Sequence, residues 1–295
     1  MGAEQRQLSP GQLGALALTA AEVPALRVCT GLSWFWVLPG AVAAAGLLSL
    51  LTALLNRRSR RRSSRRGRLS VTLPLMPGLL GLSFLAAAEA AAAFPETADS
   101  PLAAGLVLLL AAYAASKGAA AAGRCAGILL WITGALCGIV LAVSIPEIQL
   151  RWLRPAGEPT QALIAFLSLL LPGTALGLEP VLEKEKKLPH WQWWIGSGLA
   201  LLGSIVTGGI LSPAVASRGD AFQTLARGVS VLGVMRRFEA LVNAAMLMNA
   251  FCLCTLLLSA LRVRLGWLSR QGTREEEDSG LVQAPASSLL RDERL

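Results

Sequence analysis

Long apolar stretches alternate with short polar ones along most of this chain, and that alternation predicts its secondary structure. Because a bilayer core of about 30 Å needs roughly 20 helical residues, each apolar stretch of that length predicts a transmembrane helix. The pattern predicts an all-α polytopic membrane protein with eight spans, at about 11–30, 33–55, 71–94, 101–116, 126–146, 160–180, 193–213 and 239–261. Tryptophans at the start of the second and seventh spans are typical of the aromatic belt at a membrane interface.

The polar segments divide the chain into a membrane domain over 1–270 and a tail over 271–295. The tail is rich in acidic and small residues, so we expect it to be disordered and cytoplasmic. An Arg-rich loop at 56–69 separates the second and third spans. Segment 214–238 carries apolar residues at helical spacing with arginines between them, which predicts an interfacial helix on the outer side of the membrane.

Composition supports a membrane location for the whole chain. Hydrophobic residues make up 54% of the 295 residues and charged residues only 15%, against about 25% charged in an ordinary soluble domain. So few charges cannot cover the surface of a soluble fold with polar groups. The composition therefore excludes a soluble globular enzyme and a disordered chain, and it predicts the lipid bilayer as the main partner.

The net charge of +9 is informative about membrane topology and does not indicate a nucleic-acid partner. Eight arginines lie within 57–68, between two apolar spans, whereas a nucleic-acid-binding protein carries its positive charge on a folded face. With that loop on the cytoplasmic side, 20 of the 27 Lys and Arg residues fall on the same side. By the positive-inside rule both termini are predicted to be cytoplasmic, and no nucleic-acid partner is expected.

Residues that carry catalytic or metal chemistry are scarce. The chain has five cysteines, mostly within apolar runs, and a single histidine, His190. Neither a phosphate-binding loop nor a dinucleotide-binding fingerprint is present. The sequence therefore predicts no metal site, no cofactor and no enzymatic activity.

Two predicted spans are interrupted near their middle. Glu22 lies within the first span and is followed closely by Pro24, and the sixth span contains Pro172, Gly173 and Thr174. Proline cannot donate to the helix ladder, and broken helices are where transporters hold substrates or ions. This pattern predicts a transporter-like bundle with a ligand site at the two breaks. In the alternative interpretation, these are ordinary features of membrane helices and Glu22 marks a partly interfacial segment.

A second intramembrane acid, Glu89, lies among alanines of the third span. Small residues allow helices to approach closely, so this face is predicted to pack inside the bundle. Glu89 then either pairs with a buried partner or reaches the outer interface a few residues away.

Several short motifs resemble, in their order along the chain, those of spore germination permeases. That family comprises the membrane B subunits of nutrient germinant receptors, within the amino acid/polyamine/organocation transporter superfamily. The resemblance covers about 8–265. Its residues are Leu8-Ser9-Pro10-Gly11-Gln12, Ser100-Pro101, Tyr113 to Gly118, Gly123-Arg124, Arg227 to Ser230, and Met235 to Leu241 with Arg237 and Glu239.

The resemblance implies a subunit that senses or transports a small nutrient such as an amino acid. It also implies the cytoplasmic or inner spore membrane as the location, with the receptor's A and C subunits as partners. The chain departs from the family pattern in having eight predicted spans instead of ten, and Gly173-Thr174-Ala175 where the family carries Gly-x-Glu. These departures favour an alternative, a non-transporting scaffold or assembly protein derived from that family.

Overall fold

The fold of the described chain is entirely helical. The computed structural model describes residues 9–60, 101–153, 155, 157–181, 190–211, 221–228 and 238–282. Eight α-helices lie in these ranges: α1 Pro10–Val23, α2 Trp34–Arg60, α3 Pro101–Lys117, α4 Ala119–Ser144, α5 Thr160–Leu170, α6 Trp191–Ile210, α7 Ala221–Gly228 and α8 Phe238–Val282.

Five of the described helices are long and apolar enough to cross a membrane: Pro10–Gly31, Trp34–Arg57, Ala120–Glu147, Trp191–Ile210 and Ala240–Arg262. Two shorter apolar helices, Gly105–Lys117 and Thr160–Leu176, coincide with the predicted fourth and sixth spans. The predicted third span, with Glu89, and most of the Arg-rich loop lie outside the described residues. The prediction of an all-helical protein is confirmed over the described residues, which include five helices long and apolar enough to cross a membrane, and the count of eight spans stays a prediction.

The central element of the bundle is α1. Its start is fixed by a capping box, in which the Gln12 backbone N–H donates to Ser9 Oγ and the Ser9 N–H donates to Gln12 Oε1. Apolar side chains are buried on all its sides, including Leu13, Leu16 and Ala20. A helix that is apolar all round belongs in the interior, and α1 contacts α4, α6, α8 and the 3₁₀ segment Leu171–Val181.

Hydrogen bonds between elements group the loops at two ends of the bundle. At one end the Trp34 indole N–H donates to Leu153 O over 3.0 Å, and Gln149 N–H donates to Gly209 O over 2.8 Å. At the other end Arg262 donates to the final carbonyls of α3, reaching Ser116 O at 2.6 Å. Residues predicted to lie on the same side of the membrane thus contact one another.

The predicted interfacial helix at 214–238 is described only over α7. Its buried face carries Phe222 and Leu225, which pack with Leu26 and Val206 in an apolar cluster of the bundle. Over these residues the apolar face of the helix therefore packs against the rest of the bundle.

The C-terminal segment differs from the predicted disordered tail over residues 271–282, which continue α8. Arg274 and the glutamates at 275–277 are good helix formers, whereas Gly272 and Gly280 in the same segment are poor ones. Residues 283–295 lie outside the described part of the chain.

Candidate functional site

A carboxylate lies buried at the centre of the bundle. Glu22, in the last turn of α1, is only 4% exposed. Its Oε2 accepts a hydrogen bond from Thr133 Oγ1 of α4 at 2.6 Å and another from Asn249 Nδ2 of α8 at 2.5 Å. We call these three residues the Glu22 cluster. It joins three helices through one carboxylate oxygen.

The backbone changes its helical type immediately after Glu22. Pro24 has no N–H to donate to Ala20 O, so the α-helical ladder ends here. The chain continues as a π-helix over Pro24–Val28, in which Cys29 N–H donates to Pro24 O, and then as a 3₁₀ turn over Cys29–Gly31. Single π turns within α-helices occur frequently at functional sites. The predicted break of the first helix is therefore a π segment followed by a 3₁₀ turn, and it begins next to the buried Glu22.

The π segment and the 3₁₀ turn that follows it pack closely against α6. Thr207 Oγ1 donates to Thr30 O at 2.9 Å, and Thr30 Oγ1 donates to Leu26 O at 2.7 Å. Gly203 lies at this contact, where an added Cβ would come within 3.1 Å of Thr30 Cγ2. Hydroxyls within the bundle thus satisfy part of the backbone that the irregular segment leaves unpaired.

Hydrogen-bond donors are scarce around Glu22. The single hydroxyl proton of Thr133 is shared between Glu22 Oε2 and Leu129 O, which is 2.9 Å away. Asn249 Oδ1 is buried and has no hydrogen-bond partner. The cluster therefore contains more acceptor oxygens than protons to satisfy them.

The second predicted break is also present as a change of helical type. Helix α5 ends at Leu170, and Leu171–Val181 continues as a 3₁₀ helix containing Pro172, Gly173 and Thr174. Pro172 and Thr174 are buried, and Thr174 Oγ1 donates to Leu171 O at 2.8 Å. Both irregular segments adjoin α1, but Thr174 donates to its own segment and does not hydrogen-bond Glu22.

The two hydrogen bonds to Glu22 come from Thr133 and Asn249, neither of which is a motif residue of the family resemblance. Tyr113 is 60% exposed and stacks under Lys117, whose Nζ lies 4.9 Å from the ring centroid. Gly118 joins α3 to α4 with φ of 110°, a conformation that favours glycine. Arg124 and Arg227 are exposed. Arg237 lies outside the described residues, and so does the side chain of Glu239.

Thr133 and Asn249 are the site residues that sequence reasoning missed. Both are polar residues within otherwise apolar spans, which was the available signal. Nothing in the pattern of either span shows that it faces Glu22, because the contacts span 111 and 227 residues of sequence.

The described residues contain no group of three or more His, Cys, Asp or Glu side chains able to hold a metal ion. All five cysteines are free, and only Cys125 is exposed. The Glu22 cluster is therefore built from one carboxylate, one hydroxyl and one amide, groups that bind small polar molecules or hard cations. Neither the protein-family models nor the curated proteins give a match to this chain.

Proposed function

We propose that this protein is a membrane subunit that senses or transports a small nutrient such as an amino acid, with its ligand site at the Glu22 cluster. The observation that carries the proposal is the buried carboxylate itself, placed at a helix break and hydrogen-bonded by two other helices. An ionisable side chain within a membrane span is costly and commonly marks a substrate or ion site.

The arrangement supports ligand-dependent switching. Because α1, α4 and α8 meet at Glu22, a ligand that replaces Thr133 or Asn249 at the carboxylate changes how these helices pack. Such a ligand shifts the conformational equilibrium by its difference in affinity for the two packings. The π and 3₁₀ segments on either side of α1 provide backbone groups that can exchange partners during that shift.

The family resemblance gives the proposal its biological setting. The protein is a spore germination permease-like subunit with about eight spans, in a transporter-like bundle whose first and sixth helices are broken. It resides in the cytoplasmic or inner spore membrane with both termini in the cytoplasm, and it acts with other germinant-receptor subunits. The loop contacts at the two ends of the bundle agree with the loops that this proposal places together, and the positive-inside rule supplies the choice of the cytoplasmic side.

Direct binding to the purified protein tests the proposed site. A panel of amino acids and other small nutrients is titrated against wild type, Glu22→Gln and Thr174→Ala, with Glu147→Gln as a charge control on an exposed side chain. We expect Glu22→Gln to weaken binding of the active nutrient about tenfold or more, because a charge-assisted hydrogen bond contributes roughly 1.5–3 kcal/mol. Unchanged affinity in both site variants would refute the site. If no nutrient binds wild type, the scaffold function is favoured.

A further inference from the structure

We propose that the first turn of α6, together with the buried Gln192 side chain, binds a phosphate group with a neighbouring hydroxyl, in the headgroup of a glycerol-containing membrane phospholipid. This site is separate from the Glu22 cluster, and the inference does not depend on the proposed function. It is carried by a buried amide without a hydrogen-bond partner at the start of a helix long enough to cross the membrane.

The amide of Gln192 is buried and makes no hydrogen bond. The residue is only 1% exposed, and neither its Nε2 nor its Oε1 has a partner. Among the described residues it is the one buried amide for which both polar atoms are unpartnered. A buried polar group without a partner costs free energy, and an amide needs both an acceptor for its N–H groups and a donor for its oxygen. The side chain therefore indicates a ligand that both accepts and donates hydrogen bonds.

The Gln192 side chain lies beside the start of α6, at its contact with α1. Gln192 is the second residue of Trp191–Ile210, and the Cα–Cβ bonds of an α-helix tilt towards its N-terminus. The amide is therefore directed to the first turn. Gly196, one turn further on the same face, lies against α1, since an added Cβ there would come within 2.9 Å of Ala21 Cβ.

The first turn of α6 adds donors and a partial positive charge. The first N–H groups of a helix have no acceptor within that helix, and the helix dipole favours an anion at this end. His190, which precedes the helix, makes no side-chain cap. Backbone N–H groups at a helix start are a common phosphate site, and Gln192 Nε2 can add one more donor to it. Gln192 Oε1 then accepts from a hydroxyl of the same headgroup.

The depth of this turn in the membrane favours a lipid as the source of the phosphate. Helix α6 has 20 residues and is apolar enough to cross a membrane, and its length of about 30 Å matches the hydrocarbon core. Its first turn therefore lies at headgroup level. Trp191 and Trp194 on this turn are about half exposed, as is typical of the membrane interface. Phosphatidylglycerol has its phosphate at this depth and carries the hydroxyls that Gln192 Oε1 needs.

Thermal unfolding in a neutral detergent tests the inference. Phosphatidylglycerol is compared with phosphatidylcholine, whose headgroup has no O–H or N–H donor, and with glycerol 3-phosphate and inorganic phosphate as soluble sources. A ligand that binds only the folded protein raises the unfolding temperature as its concentration passes the dissociation constant. We expect a saturable rise with phosphatidylglycerol that phosphatidylcholine does not give.

Matched variants tie the effect to the Gln192 amide. Without lipid, Gln192→Leu should be at least as stable as wild type, because it removes an unpartnered buried amide. In the lipid titration it should raise the apparent dissociation constant for phosphatidylglycerol about tenfold or more. Gln149→Leu, at an exposed side chain, is the control and should respond like wild type. If Gln192→Leu does not fold, Gln192→Glu replaces it, and its negative charge should abolish the rise.

Three results would overturn the inference. The first is an equal rise with phosphatidylglycerol and phosphatidylcholine, or no rise with either. The second is a rise with phosphatidylglycerol that the Gln192 variants and Gln149→Leu share, which would assign the effect to other charges of the protein. The third is a rise with the soluble phosphates alone, which would place a soluble phosphate at the helix start and exclude the lipid.

Discussion

Some buried polar side chains in this bundle form hydrogen bonds to another helix, and others bond only within their own helix. Thr133 bonds both its own helix, at Leu129 O, and a carboxylate on another helix. Thr255 bonds only its own backbone, at Phe251 O. Both are buried threonines in apolar helices, so they form a matched pair in which only one supports Glu22.

Replacing Thr133 with valine is expected to destabilise the protein more than replacing Thr255 with valine. Thr133→Val leaves the buried carboxylate with one donor among the described residues, a loss of about 1–3 kcal/mol in unfolding free energy. Thr255→Val removes a bond whose acceptor, Phe251 O, can also accept a bond from its own helix, so we expect less than about 1 kcal/mol. Unfolding of the two variants in the same detergent measures the difference. Equal losses would contradict a special role for Thr133.

Gly40 and Gly46 form a second matched pair, both within α2. A Cβ at Gly40 would lie 2.5 Å from Ala162 O and 3.1 Å from Phe166 N, both backbone atoms of α5, whereas nothing lies within 4 Å of one at Gly46. Gly40→Ala is therefore expected to cost about 1–3 kcal/mol through overpacking, and Gly46→Ala is expected to be neutral or stabilising. A lower unfolding temperature for Gly46→Ala than for Gly40→Ala would refute this account of the α2–α5 contact.

At the scale of elements, tryptophans that look equivalent in the sequence have different roles. Trp191 and Trp194 are about half exposed, as a membrane-interface belt requires. Trp193 is only 4% exposed, and its indole N–H donates to Thr52 Oγ1 of α2 at 2.9 Å. It thus joins α6 to α2. Of the tryptophans predicted to form an interfacial belt at the start of α6, Trp191 and Trp194 lie at the protein surface and Trp193 lies in its interior.

Trp193→Phe is expected to lower the unfolding free energy by about 0.5–1.5 kcal/mol, because it removes this bond and part of the buried ring. Thr52 keeps its own bond to Leu48 O, so no hydroxyl proton is left unpaired. Trp194→Phe serves as the control, since its ring is exposed. A double-mutant cycle with Thr52→Val measures the coupling between the helices, and a coupling energy of zero would show that the bond does not stabilise the contact.

At the scale of the whole molecule, the sequence indicates more about the position of breaks and charges than about packing. Proline and an intramembrane acid are local signals, so Glu22, Pro24 and Pro172 could be found from the pattern. The partners of Glu22 could not, because helix rotation is set by packing between spans far apart in sequence. Continuation of α8 to Val282 could not be found either, because residues 271–282 mix good helix formers with two glycines and are highly charged.

The topology can be tested with single-cysteine variants. Lys117 and Glu158 are both exposed, and the proposed orientation places Lys117 on the cytoplasmic side and Glu158 outside. Cys125 is the one exposed cysteine among the described residues, so Cys125→Ser gives a suitable background for both variants. In this background we expect a membrane-impermeant maleimide to label Glu158→Cys in intact cells. Lys117→Cys should react only after the membrane is opened. Labelling of both in intact cells would contradict two-sided placement, and the reverse pattern would invert the topology.

The most direct test of the central claim is nutrient-triggered germination of spores that carry this gene as wild type, as a deletion or as Glu22→Gln, with Glu147→Gln as control. The account predicts that the deletion and Glu22→Gln lose the response to the same nutrient, while wild type and Glu147→Gln keep it. Membrane levels of each variant are measured alongside. Normal germination of Glu22→Gln spores, where deletion spores fail, would show that the buried carboxylate is not the nutrient site.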